Sequence, residues 1–168
     1  MEKAFLLHST IPSQEQVETI PCFEKELTLI YSSHAAALIN PGCLGRRLSA
    51  SSFVEYTLIP TLRKKGITAL DALISLQPST MNFIALECLL EKIRVKKLYV
   101  SHWSGSPPNK GWSAWEKLRR VAHKYGTTVI IVCQTEEIVL GSKAVLLTPR
   151  HKLMKKNRFA FVPVDISY

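Results

Sequence analysis

Histidine and cysteine are the side chains best suited to hold a metal ion or to act as nucleophile and base, and the chain has five of the first and four of the second. His8, His34, His102, His123 and His151 are scattered, and none forms the H-x-H or H-x-x-x-H spacing that aims two imidazoles at one ion. Cys22, Cys43, Cys88 and Cys133 stand far apart, with neither a C-x-x-C pair nor the dense spacing of a secreted disulfide scaffold, so buried thiols are expected. A P-loop, a G-x-G-x-x-G turn and a G-x-S-x-G elbow are absent from the sequence, and Ser104-Gly105-Ser106 has no paired base. His102 is the best single candidate for chemistry, because it directly follows a strand-like run and ligand sites in open α/β sheets gather at the carboxyl ends of strands. The competing reading of His102 is a solvated loop histidine, and Asp71 reads as a structural hydrogen-bond acceptor.

Charge offers a second kind of chemistry. Lysine and arginine number 22 against 13 acids, a net charge of +9, which attracts a polyanion through its long-range field. Basic clusters occur at Arg46-Arg47, Arg63-Lys64-Lys65, Lys96-Lys97, Lys117 with Arg119-Arg120, and most densely at residues 150–158. There, Arg150, Lys152, Lys155, Lys156 and Arg158, beside His151, are candidate phosphate contacts, each of which would steepen the salt dependence of DNA binding. A solubilising, solvated basic surface is the alternative.

The elements that must position these residues follow from hydrophobic periodicity. Residues 27–31 and 35–39 are apolar runs separated by Ser32-Ser33-His34, the pattern of a hairpin. Residues 51–65 carry Val54, Leu58 and Leu62 on one helical face, with a kink expected at Pro60 and a stop at Gly66. Residues 70–76 form a strand, and Asn82 is positioned to cap a following helix that carries Ile84, Leu86, Leu89 and Leu90. Another strand, residues 97–101, leads through a Gly- and Pro-containing loop to a helix striped by Trp112, Trp115, Leu118, Ala122 and Tyr125, whose tryptophans read as packing rather than base-stacking residues. Residues 127–133, 138–140, 143–148 and 159–166 complete the chain as strands. Residues 1–25 give no clear assignment. Alternating strands and helices in the middle, with a hairpin before and a meander after, predict an α/β fold built on a sheet of mixed direction.

Apolar runs such as 35–39 and 128–133 are far shorter than the roughly 20 residues that span a bilayer, and the patch at 4–7 is too short for the apolar core of a secretory signal. The compartment stays open, since a fragment of a larger membrane protein would read the same way.

Several of these segments together resemble the metallo-β-lactamase superfamily, most closely the carboxy-terminal lactamase-like domain of the ComEC family of DNA-internalisation competence proteins. Leu38-Ile39-Asn40-Pro41-Gly42 resembles the family's L-I-D-x-G strand end with asparagine for aspartate. Residues 58–67 resemble its L-x-P-x-L-R-x-x-G-I helix, and Leu70-Asp71-Ala72-Leu73-Ile74-Ser75 resembles the strand that delivers the metal loop. Leu146-Leu147-Thr148-Pro149 and Asn157-Arg158-Phe159-Ala160-Phe161 resemble later strands. The likeness covers residues 26–168 and implies a lactamase-like mixed sheet with flanking helices, corresponding to about one half of the αββα sandwich, with residues 1–25 outside it.

In that family the loop after the Ser75 position reads H-x-H-x-D-H and holds zinc or manganese, which generates the attacking hydroxide. The resemblance sets Leu76 and Pro78 at the two leading histidines, Thr80 at the aspartate and Met81 at the last histidine. Leucine and proline offer no donor atom, neutral threonine is a poor ligand, and a thioether is too soft for a hydrolytic zinc or manganese site. No shift of alignment repairs the loop, because no histidine lies between His34 and His102. The resemblance thus implies a chain without metal cofactor or hydrolase activity, associated with DNA uptake. Three functions remain open: a silent module that binds DNA; a structural or protein-interaction remnant, docked on a membrane channel domain or self-associating through an exposed sheet edge; and a hydrolase with a relocated metal site near His102.

Overall fold

A computed structural model describes residues 15–44, 50–101, 110–140, 143–149 and 164–167. Its main sheet has six strands, β1 (Gln16–Cys22), β2 (Lys25–Tyr31), β3 (Ala36–Asn40), β4 (Ala69–Ser75), β5 (Arg94–Ser101) and β6 (Thr128–Val132), lying side by side in chain order. The first three are antiparallel neighbours, and β3 through β6 are parallel. The fold is α/β, as the alternation of elements predicts.

Parallel neighbours need crossover connections, and right-handed crossovers that always advance in the same direction put every helix on one face. That face carries α1 (Ala50–Phe53), a single π-helical turn (Val54–Leu58) and α2 (Ile59–Lys64) between β3 and β4. It also carries α3 (Thr80–Lys92) between β4 and β5, and α4 (Lys110–Lys124) between β5 and β6. The π turn falls immediately before Pro60, whose missing N–H removes a normal helical hydrogen bond. The expected irregularity is therefore a widened turn, and Gly66 ends the segment with φ of +74°.

The opposite face is covered by a second sheet of β7 (Glu136–Leu140), β8 (Lys143–Pro149) and β9 (Val164–Ser167). Alternation along the central strands feeds two cores at once. Leu29, Leu38, Leu73 and Leu98 point to the helices, while Ile30, Ile39, Ile74 and Tyr99 point to Ile138, Leu140, Val145 and Leu147 of the second sheet. Burial on both faces is why β3 and β4 read as continuous apolar runs instead of alternating ones.

Several sequence expectations need correction. Ser79, not Asn82, caps α3: its Oγ accepts the Asn82 N–H at 3.2 Å, and Asn82 itself is buried inside the helix. Tyr125 is 40% exposed and leaves the buried stripe of α4, which comprises Trp115, Leu118 and Ala122. Of the cysteines only Cys22 and Cys43 are buried, while Cys88 is half-buried and Cys133 exposed. β1 had no counterpart in the pattern, yet it pairs with β2 along its whole length. Of the strand expected over 159–166, residues 159–163 lie outside the described residues.

Candidate functional site

The carboxyl ends of β3 and β4 are where an open α/β sheet places its chemistry, and Asn40 and Ser75 end those two strands in register. Asn40 is fully buried. Its Oδ1 accepts the N–H of Gly42 at 2.9 Å and of Leu44 at 3.4 Å, which folds the loop back over its own side chain. Its Nδ2 donates to Asn82 Oδ1 at 3.3 Å. Asn82, in the first turn of α3, donates through Nδ2 to the Gln77 carbonyl at 2.8 Å and to the Gly42 carbonyl at 3.5 Å. The Asn40 carbonyl receives the Leu76 N–H at 3.0 Å, and the Ser101 hydroxyl donates to the Leu76 carbonyl at 2.9 Å.

These bonds join the loops after β3 and β4, the end of β5 and the start of α3 through uncharged groups. Asparagine at position 40 suits this junction in a way aspartate would not, since a carboxylate accepts the Gly42 and Leu44 N–H groups but donates nothing to Asn82. Gly42 has φ of +101°, and a Cβ there would stand 2.4 Å from Gln77 Oε1 and 2.9 Å from its Cβ, so the two loops touch. Ser75 Oγ is buried and has no hydrogen-bond partner among the described residues.

The four positions that the resemblance aligns with metal ligands fall in this loop and the first turn of α3. Leu76 packs against the core between the sheets, Pro78 is buried, and Thr80 and Met81 are the opening residues of α3. No group of three or more His, Cys, Asp or Glu that could hold a metal ion occurs among the described residues. His102, His8 and His151 lie outside the described residues, as do Arg46, Arg47, Arg150, Lys152, Lys155, Lys156 and Arg158. His34 and His123 are exposed and sit on different elements, the β2–β3 turn and the end of α4.

The amino ends of the same strands hold charges. Asp71 Oδ2 accepts the Ala36 N–H at 2.9 Å and its Oδ1 pairs with Lys96 Nζ at 2.6 Å. Burial opposes ionisation of this carboxyl, but the bonds from Lys96 and Ala36 outweigh it and hold the pKa below the usual aspartate value. Asp71 is therefore the structural acceptor expected from the sequence. Nearby, Lys65 pairs with Glu18 of β1, whose carboxyl is lowered chiefly by that bond, and its ammonium stands 5.3 Å from the centre of the Tyr31 ring. An open cleft of about 290 Å³ lies here, lined by His34, Lys65, Gly66, Asp71 and Lys96.

Part of each described basic cluster has an acidic partner: Lys65 with Glu18, Lys96 with Asp71, Lys117 with Glu87, and Arg119 with Glu116. Sequence reasoning missed Glu18, Asp71 and Glu87 because they lie 25 to 47 residues from their lysines, whereas Glu116 is only one helical turn from Arg119. No protein-family model matches the chain, and no curated protein matches it either.

Proposed function

We propose that this chain is a non-hydrolytic module of the metallo-β-lactamase type, related to the ComEC lactamase-like domain, and that it binds DNA through its basic surface. The observation that carries the reading is the uncharged junction of Asn40, Asn82, Leu76 and Gln77 at the carboxyl ends of β3 and β4. The resemblance sets the family's metal loop beside these positions, and here the Asn40 and Asn82 side chains hydrogen-bond to each other and to the backbone. Leu76 and Pro78 supply no donor atom. The strand order and the second sheet stacked opposite the helices agree with a lactamase-like half-sandwich.

DNA binding rests on charge. The net +9 counts the whole chain; Lys65, Lys96, Lys117 and Arg119 are ion-paired, and the tract at 150–158, outside the described residues, is the densest run of basic residues in the sequence. Anisotropy of labelled single- and double-stranded DNA, titrated with the intact chain across salt concentrations, tests this. Binding should weaken steeply with salt, and reversing Lys152 and Lys155 to glutamate should lower the slope by about one for each phosphate no longer neutralised. No binding at low salt would discard the DNA reading.

A second reading, a protein-interaction piece, is favoured by β6. Thr128-Val129-Ile130-Ile131-Val132 has neither charge nor proline, pairs only with β5 among the described residues, and leaves Ile131 45% exposed. Such an edge is a template for another strand. Concentration-dependent association without DNA affinity would select it.

A further inference from the structure

We propose that the rim formed by the amino ends of β4, β5 and β6 holds a single strand of DNA, with phosphates on Arg63, Lys64, Arg94 and Lys124 and a base stacked on Tyr125. This deepens the DNA-binding reading, on which it rests, by naming an end of the sheet and a form of DNA.

Topology assembles the rim. In a parallel sheet each crossover helix ends beside the amino end of the strand it feeds, so the last turns of α2, α3 and α4 and the first residues of β4, β5 and β6 share one edge. Arg63, Lys64 and Lys65, then Lys92, Arg94, Lys96 and Lys97, then His123 and Lys124 are brought to that edge from three separate stretches of sequence. Glu18, Glu55 and Asp71 hold Lys65, Lys92 and Lys96. Arg63, Lys64, Arg94, Lys97 and Lys124 are exposed and have no ion pair among the described residues. Against them stand Glu91, in the last turn of α3, and Glu137, which lines a cleft with Lys97. The helix macrodipole accounts for basic residues at the ends of α2 and α4, but not for Arg94, which opens a strand. Unpaired cations on adjacent elements repel one another, and a phosphate backbone laid across them removes that repulsion.

Tyr125 selects the single strand. It is 40% exposed in the turn between α4 and β6, and the Lys124 ammonium stands 5.2 Å from the centre of its ring. Hydrogen bonds fix the turn: the Gly126 N–H donates to the His123 carbonyl at 3.1 Å and the Thr127 N–H to the Ala122 carbonyl at 2.8 Å. Thr127 Oγ1 donates to the Val95 carbonyl at 2.8 Å, which seats the turn against the start of β5, where Arg94 lies. An exposed ring among cations is the arrangement that grips single-stranded nucleic acid, since cations track the backbone while the ring stacks on an unpaired base. Inside a duplex, both faces of a base are already stacked on its neighbours.

Anisotropy of labelled oligothymidylate and of a duplex of the same length, titrated with the intact chain across salt concentrations, tests this. Arg94→Gln with Lys124→Gln removes two charges from the rim. Lys25→Glu changes the net charge by the same amount at the opposite end of the sheet, where β2 begins beside the end of β3. The wild type should prefer the single strand. The paired glutamine variant should lower the slope of log affinity against log salt by about 1.4, or about 0.7 for each phosphate released, and Lys25→Glu should leave it unchanged. Tyr125→Ala should weaken single-strand binding about tenfold with little change in slope, and Tyr125→Phe should bind as the wild type does. An unchanged slope in the glutamine variant, undiminished binding by Tyr125→Ala, or equal affinity of the wild type for duplex would each overturn the rim while leaving DNA binding through residues 150–158 in place. A wild type that binds neither DNA would overturn both.

Discussion

At their carboxyl ends β3 and β4 are tied together by neutral amides shielded from solvent, whereas at their amino ends the same strands are tied by charges that remain partly in water. Asn40 and Asn82 are at most 2% exposed. The Lys96 and Asp71 side chains are 63% and 28% exposed. A buried amide left unpaired loses its full solvation, but a charge at the surface can turn to water. The end that in many α/β proteins is kept open for ligands is here tied by buried amides, and among the described residues a polar cleft lies at the other.

The largest effect should follow Asn40→Leu, which strands the Gly42 and Leu44 N–H groups and the side-chain Oδ1 of Asn82. Urea denaturation should show a loss of about 3 kcal/mol. A change under roughly 0.5 kcal/mol would break the comparison, because the junction would then contribute nothing beyond packing. Gly42→Ala probes the same place sterically. Its φ of +101° and the proximity of Gln77 predict a loss of about 2 kcal/mol, read from the shift in urea midpoint.

Ser75→Ala should act with the opposite sign. Removing a buried hydroxyl that lacks a partner among the described residues should raise stability by about 1 kcal/mol, measured by the same denaturation. At the amino end, Asp71→Asn should cost about 1 kcal/mol at neutral pH. Since the folded pKa of Asp71 is depressed, its contribution is present above the unfolded value near 4 and is lost as pH falls through the lower folded value. The difference between wild type and variant should therefore shrink to nothing in acid, whereas that for Asn40→Leu should persist. A pH-independent Asp71→Asn effect would mean that the carboxylate's charge is not what ties this end.

Legibility of this molecule in its sequence follows how local each signal is. β2, β3 and β4, and the paired helices α3 and α4, stand out because a strand buried on two faces or a striped helix announces itself within a few residues. β1 does not. Gln16-Val17-Glu18-Thr19-Ile20-Pro21-Cys22 buries only Ile20 and Cys22, and its proline and glutamate, which suit an edge strand, erase the strand signature. The cap of α3 was misplaced because Asn82 has the chemistry of a cap but turns inward to a partner 42 residues earlier. The same distance hid the candidate site. The side chains at 76, 78, 80 and 81 could be read one by one, but the amide pairing that occupies their neighbourhood exists only once β3 lies beside β4.

One turn also shapes the order in which the chain assembles. Phe23 begins the two-residue β1–β2 turn with φ of +59°, a conformation that costs a bulky side chain of order 1–3 kcal/mol and ordinarily goes to glycine. Its ring packs on Phe53 at 5.5 Å, so the offsetting contact comes from α1, on the far side of β3. A hairpin of neighbouring strands would otherwise be among the fastest parts of a chain to form. The contact predicts that closure of this hairpin waits on a helix later in the chain, so that β1 locks on after the helical layer has docked instead of serving as a nucleus of folding.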